Sequence, residues 1–487
     1  MHLNHRIVLN ILGIILAILG LSMVPSAMIS ILYREYRVAV SFFLILVPMV
    51  VFGLILHRVV KPKSPKLKVR EGFVVVGASW LIASFFGALP YLMSGVLPTF
   101  IDAFFESTSS FTTTGSSIIQ NIEFLPRGLV FWRSFSQWLG GMGILVFAVS
   151  LLPALGISGQ QIANTETPGP SLSKLKPKMA DSAKLLYAIY GGLTLSAIAL
   201  LLLGGLSLFD SCIVAFGSVA SGGLINYSAG AAHFDSAYIE FVITLFTILA
   251  CTNFTLYYSL VRGEIRHFLK DRELHTFLGL LGIGFLLVSL NLWLSDTTTS
   301  LGEALRFAMF HTASFATTTG VFSENYDLWP SFSKMILFIL MMVGACSAST
   351  GGGIKIIRVM VLVKLILRGF FIRLHPRAIV PIKIQNKVVT SDSMAGIMSF
   401  LYLYLLIYII SVFVLSFENM DLVTTLSATG AILNNIGAGF GLVGPGGSFA
   451  VFSPFSKLYM SFLMITGRLE LFTILLFFMP SFWNPDR

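Results

Sequence analysis

Four short polar stretches that end in glycine recur at intervals of about 100 residues in an otherwise apolar sequence. Backbone carbonyls can replace the water shell of a potassium ion, and glycine readily adopts the dihedral angles that turn successive carbonyls toward one axis. Serine and threonine hydroxyls add further oxygen ligands. We therefore predict a site for a dehydrated potassium ion, built from Thr113, Thr114 and Gly115, from Ala220, Ser221 and Gly222, from Thr318, Thr319 and Gly320, and from Asn435, Ile436 and Gly437.

The small residues of these stretches have a second explanation, because glycine and threonine also allow membrane helices to pack closely. A single stretch would favour that explanation. Four stretches with one period, each placed after the same kind of segment, favour the ion site.

Each glycine stretch follows a short helix-like segment that begins near an acidic residue, namely Asp102, Asp210, Glu303 or Asp421. A negative charge is favourable at the N-terminus of a helix, so the opposite end would direct unpaired carbonyls toward the glycine. Helices that end halfway across a membrane are allowed only where their exposed backbone is buried or faces water. The pattern predicts four half-helices that converge on one centre.

The composition places most of the chain in a membrane. It has 487 residues, of which 56% are hydrophobic and 11% charged, whereas soluble domains carry about 25% charged residues. The first apolar stretch, 7–32, is longer than the apolar core of a secretory signal, so we expect it to be retained. Ten apolar segments suit membrane helices of about 20 residues, and they are 7–32, 38–60, 73–96, 127–152, 183–206, 237–261, 276–295, 332–372, 394–416 and 455–480.

These segments predict an all-α polytopic membrane protein. The first two form an N-terminal preface, and the other eight pair into four pseudo-symmetric helix–pore-loop–helix repeats around a central pore. The predicted boundaries are 1–60 for the two-helix preface and 61–153, 154–262, 263–372 and 373–487 for the repeats.

Lysine and arginine cluster between alternate apolar segments, in 61–70, 174–184, 262–272 and 355–387. Such clusters mark cytoplasmic loops, and an even number of crossings then places both termini in the cytoplasm. The net charge of +10 therefore indicates membrane topology and not a nucleic-acid partner; membrane lipid is the surrounding partner. The three cysteines are scattered and show no spacing for disulfides or a metal.

The eighth apolar segment, 332–372, is too long for one crossing and contains the sequence GACSASTGGGIK. Three consecutive glycines disfavour a helix interior, each by about 1 kcal/mol relative to alanine. We predict an unwound loop beneath the glycine ring that acts as a gate; a plain helix kink is the alternative. The gate residues are Gly344, Ser349, Thr350, Gly351, Gly352, Gly353 and Lys355.

Arg468 lies near the middle of the last apolar segment. An arginine at this depth usually faces a partner or a water-filled cavity. Glu470 lies on roughly the opposite helix face, so we expect Arg468 to contact carbonyls of the 344–353 loop and to belong to the gate. Structural pairing with a carboxylate elsewhere is the alternative. His311, in the third half-helix, is expected to be a satisfied structural group.

Three further motifs resemble the TrkH/KtrB/HKT superfamily of potassium transporters, and the TrkH branch most closely: WRSFSQWLGGMGI at 132–144, STGGGIK at 349–355 and GRLELFT at 467–473. The resemblance extends from residue 73 to the C-terminus, and the preface favours the TrkH branch. It implies potassium as the permeant ion, a pore restricted by the loop and Arg468, and the bacterial inner membrane. It also implies a homodimer bound to a cytosolic TrkA-type ring that binds nucleotides.

Two features depart from that pattern, because the second and fourth stretches lack the threonine pair of the others. The rival functions are a proton- or sodium-coupled symporter and a membrane enzyme. Coupled carriers usually contain inverted repeats, whereas these repeats run in one direction. An enzyme would need convergent catalytic or metal-binding side chains in the apolar segments, and the sequence offers none, so we expect no catalysis.

Overall fold

The computed structural model describes residues 4–62, 67–143, 179–385 and 387–484. Within these ranges the chain is predominantly helical, which confirms the predicted all-α polytopic membrane architecture. The predicted boundary at 153/154, the end of the segment 127–152 and residues 174–178 of the basic segment lie outside the described residues.

The preface consists of two membrane spans, 5–32 and 36–59, and packs against the first repeat. Its helices are α1 (His5–Ser22), α2 (Val24–Leu32) and α3 (Tyr36–Val59). The Asn10 side-chain amide donates to the carbonyls of His57 and Val60, at 2.7 and 2.8 Å, which ties α1 to the end of α3.

Each repeat contains an outer helix, a half-helix and an inner helix in that order. The first repeat has α4 (Val69–Met93), α5 (Phe100–Phe111) and α6 (Arg127–Gly141). The second has α7 (Met179–Leu203), α8 (Leu208–Val219), α9 (Ala237–Ala250) and α10 (Phe254–Val261), followed by the short α11 (Ile265–Leu269).

The other two repeats follow the same order. The third has α12 (Arg272–Leu294), α13 (Leu301–Ala316), α14 (Ser331–Met342) and α15 (Ile356–Leu374). A small antiparallel hairpin of β1 (Lys383–Ile384) and β2 (Lys387–Val388) leads to the fourth. That repeat has α16 (Ser391–Ser416), α17 (Leu422–Leu433), α18 (Pro454–Arg468) and α19 (Phe472–Leu475), and α20 (Pro480–Trp483) ends the described chain.

Three of the inner helices are broken. The axis bends by 89° between α9 and α10, and by 115° between α18 and the segment 472–478. Six described helices are long and apolar enough to cross a membrane, or eight if each bent pair is one span. The two other predicted segments are 127–152, described only in part, and 332–372, which the loop 343–355 divides into α14 and α15.

The half-helices begin as the acidic residues predict. Hydroxyls of Thr99, Ser207 and Ser300 accept the backbone N–H of the acidic residue three positions later, and those residues are Asp102, Asp210 and Glu303. In the fourth repeat Asp421 itself is the cap and accepts the N–H of Thr424 at 3.0 Å. These caps satisfy N-terminal amides that would otherwise be unpaired.

The preface also caps an inner helix. The Glu35 carboxylate accepts the N–H groups of Arg127 and Gly128 at 2.6 and 3.0 Å, at the start of α6. We expect Glu35→Ala to lower the free energy of unfolding by about 1 kcal/mol, the usual cost of a lost helix cap. Thermal unfolding in detergent measures it. Glu264→Ala is the matched control, because Glu264 precedes α11 without a capping hydrogen bond; equal losses in both variants would contradict this role.

Candidate cation-binding ring and intramembrane loop

The four half-helices end in the same backbone turn. The first residue of each strand has left-handed φ, +54° at Thr113, +52° at Ser221, +55° at Thr318 and +54° at Asn435. Two residues later a glycine has positive φ, and these glycines are Gly115, Gly223, Gly320 and Gly437. We call the four three-residue segments that start at the left-handed residue the ring strands.

This geometry corrects the predicted alignment of the second strand. The sequence analysis matched Gly222 with Gly115, but the carbonyl of Gly217 accepts the N–H of both Gly222 and Gly223, as Ser109 does for Thr114 and Gly115. The second ring strand is therefore Ser221–Gly222–Gly223, and Ala220 is the residue that ends the helix. Two adjacent glycines concealed the shift, because either satisfies the motif.

The hydrogen bonds of each turn leave the strand carbonyls available. In the first strand the N–H groups of Thr113, Thr114 and Gly115 all donate back into α5. Within the described residues, the carbonyls of the first three ring strands accept no hydrogen bond. The fourth differs, since Ile436 accepts the N–H of Ala438 at 2.9 Å and Gly437 accepts the Ser116 hydroxyl at 3.4 Å.

The strands close into a ring around one axis. A Cβ added to Gly115 would strike the carbonyl oxygen of Gly222, and the same holds for Gly223 with Thr319, Gly320 with Ile436 and Gly437 with Thr114. Each approach would be far closer than the 3.0 Å below which real Cβ atoms essentially never lie. Each ring glycine thus packs on the middle carbonyl of the next strand, in the order one, two, three, four, one.

An open cavity of about 140 Å³, which we call the vestibule, lies on one side of the ring. Gly115, Gly223 and Gly437 line it, together with the residues that follow them. Asp327 lies beside the vestibule residue Gly444 and accepts the N–H of Gly441 at 3.0 Å. Burial raises the pKa of the Asp327 carboxyl above its ordinary value, and Asp421 lies close to the same loop.

The predicted unwound loop is present between α14 and α15. Val343 and Ile354 form a parallel bridge that closes the loop at its base, with the Gly344 N–H donating to Ile354 at 2.9 Å. Side chains at Gly344 or Gly352 would strike backbone carbonyls, and Gly353 has φ of +68°. The Ser349 hydroxyl donates to Cys346 within the loop at 2.6 Å. The glycine run therefore forms a folded loop instead of a simple kink.

This loop packs on the ring from the side opposite the vestibule. The Gly352 N–H donates to the Thr318 hydroxyl at 2.7 Å, and the Ser221 hydroxyl donates to Thr350 at 3.0 Å. Gly352 also packs against the carbonyl of Asn434, and Gly351 lies near that of Thr317. The loop therefore contacts three of the four ring strands or the residue before them.

Arg468 connects the loop to the remaining repeat. Its guanidinium donates to Thr350 in the loop at 2.8 Å and to Gly140 and Gly141 at the end of α6 at 2.8 and 2.7 Å. The prediction of loop carbonyls as partners is confirmed. Glu470 instead pairs with Arg358, and the Lys355 ammonium donates to Gly351 within the loop.

His311 is a structural group, as expected. It is fully buried, its Nδ1 lies 2.9 Å from the Phe307 carbonyl, and its Nε2 accepts the N–H of Ser323 at 3.4 Å.

The sequence analysis missed two buried carboxylates beside the ring and the loop. Glu106 pairs with Arg133 at 2.6 Å, and both side chains are almost fully buried. Glu273 accepts the N–H and hydroxyl of Ser347 at 2.6 and 2.7 Å and so anchors the loop. Arg133, a charged residue inside the apolar segment 127–152, was the available signal for the first pair.

Comparison with known proteins identifies the family. A model of the TrkH family, described as cation transport proteins, matches residues 40–484. The chain belongs to the TrkH family. The predicted resemblance is therefore confirmed, and the chain is a multi-pass membrane protein of a family of transporters.

Several relatives match nearly the whole chain. The Trk system potassium uptake protein TrkH of Halomonas elongata is 34% identical, over 99% of this chain and 100% of the relative. The protein of the same name from Escherichia coli K12 is 32% identical with the same coverage. The crystal structure of the potassium transporter TrkH from Vibrio parahaemolyticus is 32% identical, with a TM-score of 0.89 over 99% of this chain and 100% of that one.

The packing of the ring predicts how a methyl group added to one ring glycine changes cation flux. We expect Gly223→Ala to reduce cation flux in reconstituted liposomes at least tenfold, because its Cβ would displace the Thr319 carbonyl. Gly95→Ala is the matched control, since Gly95 has a similar φ, +76° against +73°, but open space around the added Cβ. Equal flux in the two variants would contradict the ring.

Proposed function

We propose that this protein takes up potassium across the bacterial inner membrane through the ring of backbone carbonyls. The observation that supports this most strongly is the closed ring, in which three strands present carbonyls that no described hydrogen bond occupies. The relatives are named potassium uptake proteins, in agreement with this assignment.

The ring suits a monovalent cation because carbonyl oxygens replace water without a fixed charge that would trap the ion. Removal of that water would otherwise cost tens of kcal/mol. The C-terminal ends of the four half-helices add partial negative charge toward the same centre. The proposed ligands are the carbonyls of 113–115, 221–223, 318–320 and 435–437, in which Gly223 replaces the Ala220 predicted from sequence.

We further propose that the loop 344–355 is the gate. It covers the ring from the side opposite the vestibule, and its contacts with Thr318 and Ser221 use single hydrogen bonds that can be exchanged for water. Arg468 holds the loop to α6 through three carbonyls. An open state requires these bonds to break and the loop to move away from the ring axis.

The family resemblance supports the proposed assembly, and the distribution of charge supports the proposed topology. We propose a homodimer that binds a cytosolic TrkA-type nucleotide-binding ring, with both termini in the cytoplasm and the vestibule facing outward. Basic residues at the end of α15 and in the α15–α16 connection, among them Arg373, Arg377 and Lys383, support a cytoplasmic position for that face.

The decisive experiment is reconstitution in liposomes with flux of potassium, rubidium, sodium and lithium measured with and without an imposed proton gradient. We expect potassium and rubidium to pass faster than sodium and lithium, and flux to follow the potassium gradient alone. Uphill potassium movement driven by a proton or sodium gradient would instead establish the symporter. Equal fluxes for all four ions would refute the carbonyl ring as a potassium filter.

The gate is tested separately at Arg468. We expect Arg468→Ala to raise potassium flux severalfold, since three hydrogen bonds of about 1 kcal/mol each no longer hold the loop closed. Arg262→Ala is the control, because Arg262 is exposed and stacks on Tyr258 away from the ring. Unchanged flux in Arg468→Ala, at equal amounts of folded protein, would contradict the gate.

A further inference from the structure

The backbone just beyond the ring is organised as regularly as the ring itself. Two residues after each ring glycine, a carbonyl accepts a hydrogen bond from the preceding repeat; we call these the rim carbonyls, and they belong to Ser117, Ile225, Phe322 and Gly439. Their donors are, in that order, the Phe449 N–H at 3.0 Å, the Arg133 guanidinium at 3.2 Å, the Ala231 N–H at 2.8 Å and the Tyr326 hydroxyl at 2.8 Å.

The rim carbonyls differ in whether a backbone N–H group holds them. Ser117 and Phe322 each accept a backbone N–H, and Ser117 also accepts the Ser448 hydroxyl at 3.2 Å. Ile225 and Gly439 have only the side chains of Arg133 and Tyr326 as donors among the described residues. Both side chains are almost completely buried, with exposed fractions of 2% and 0%. The two rim carbonyls therefore have their orientation set by buried side chains that substitution can remove.

Each side-chain donor lies beside a polar residue on the half-helix of the same repeat. Arg133 pairs with Glu106 at 2.6 Å, and the ring of Tyr326 lies 5.5 Å from that of His311. Glu106 and His311 occupy the same place, nine residues before Gly115 and Gly320, where the other repeats have Val214 and Ala428. Both accept the N–H three residues after the ring glycine, Ile118 at 3.0 Å and Ser323 at 3.4 Å.

The result is two clamps with the same layout and different chemistry. One is ionic and joins repeats one and two; the other is neutral and joins repeats three and four. In each clamp, Glu106 or His311 accepts an N–H of the backbone that follows its own ring strand. The neighbouring Arg133 or Tyr326 donates to the rim carbonyl of the next repeat. Each of these hydrogen bonds fixes the orientation of a rim carbonyl relative to the ring.

We propose that Arg133 and Tyr326 are specificity-determining positioning residues that hold the rim carbonyls of Ile225 and Gly439 away from the permeating ion. This inference rests on the proposed function. A released rim carbonyl can rotate toward the vestibule and contact the ion, and the loosened strand no longer keeps the ring at one width. Discrimination between potassium and the smaller sodium ion depends on the number and spacing of such oxygens.

The sharpest test removes one hydroxyl. Tyr326→Phe keeps the buried ring and its aromatic contacts and deletes only the hydrogen bond to Gly439. We expect the ratio of sodium to potassium flux in liposomes to rise about threefold to tenfold, the range that corresponds to one buried hydrogen bond. Tyr408→Phe is the matched control, since its hydroxyl donates at 3.0 Å to Leu426, a half-helix carbonyl outside the ring; its flux ratio should equal that of the unmodified protein.

The outcomes separate this inference from the proposed function. If the unmodified protein carries no potassium, the proposed function fails. If it carries potassium selectively and Tyr326→Phe keeps the same flux ratio, the positioning role is refuted and the function stands. A purely structural role would lower both fluxes together through less folded protein, which leaves the ratio unchanged and also counts against the proposal.

The ionic clamp supplies a second variant if Tyr326→Phe does not fold. Glu106→Gln combined with Arg133→Met removes the donor to Ile225 and neutralises both charges together, so neither is left buried and unpaired. We expect the same rise in the ratio of sodium to potassium flux. A ratio equal to that of the unmodified protein would overturn the proposal.

Discussion

The ring depends on one packing constraint, the contact between each ring glycine and the middle carbonyl of the next strand. No side chain fits between them, so the four strands lie as close together as backbone atoms allow. Such proximity requires the strands to leave their half-helices in one conformation, which the repeated left-handed turn provides. The turn binds the strand N–H groups to the helix, and the carbonyls of the first three strands accept no hydrogen bond from the part of the chain that the structure describes.

Backbone carbonyls also compensate the charge of the half-buried Arg468. A charge in the middle of a membrane costs about 2.5–3.5 kcal/mol on insertion scales, and three carbonyls compensate the Arg468 guanidinium. Two of these carbonyls end α6 and one lies in the glycine loop, so a single side chain joins the first repeat, the last inner helix and the loop. The break between α18 and α19 comes immediately after Arg468 in the chain. The positive φ angles of Glu470 and Leu471 allow that sharp bend.

The four repeats share a backbone plan but differ in the side chains that support it. Three residues after the ring glycine, a backbone N–H donates to a half-helix side chain. The acceptor is the Glu106 carboxylate in the first repeat, the His311 imidazole in the third and the Ser427 hydroxyl in the fourth. In the fourth strand, two carbonyls also accept hydrogen bonds from other groups of the protein. The ring is therefore fourfold in its backbone path and less symmetric in the oxygens that it offers to an ion.

Hydropathy, acidic caps and glycine stretches act over roughly 20 residues, so the sequence by itself determined the membrane class, the four half-helices and the unwound loop. The motifs at Ser349–Lys355 and Gly467–Thr473 likewise identified the family before the fold was known. Only the tertiary structure decided that Gly223 and not Gly222 completes the ring, that Arg468 also binds Gly140 and Gly141, and that Glu106 pairs with Arg133. These contacts join separate helices, in one case residues 328 positions apart, and local sequence cannot encode which distant carbonyl a side chain will meet.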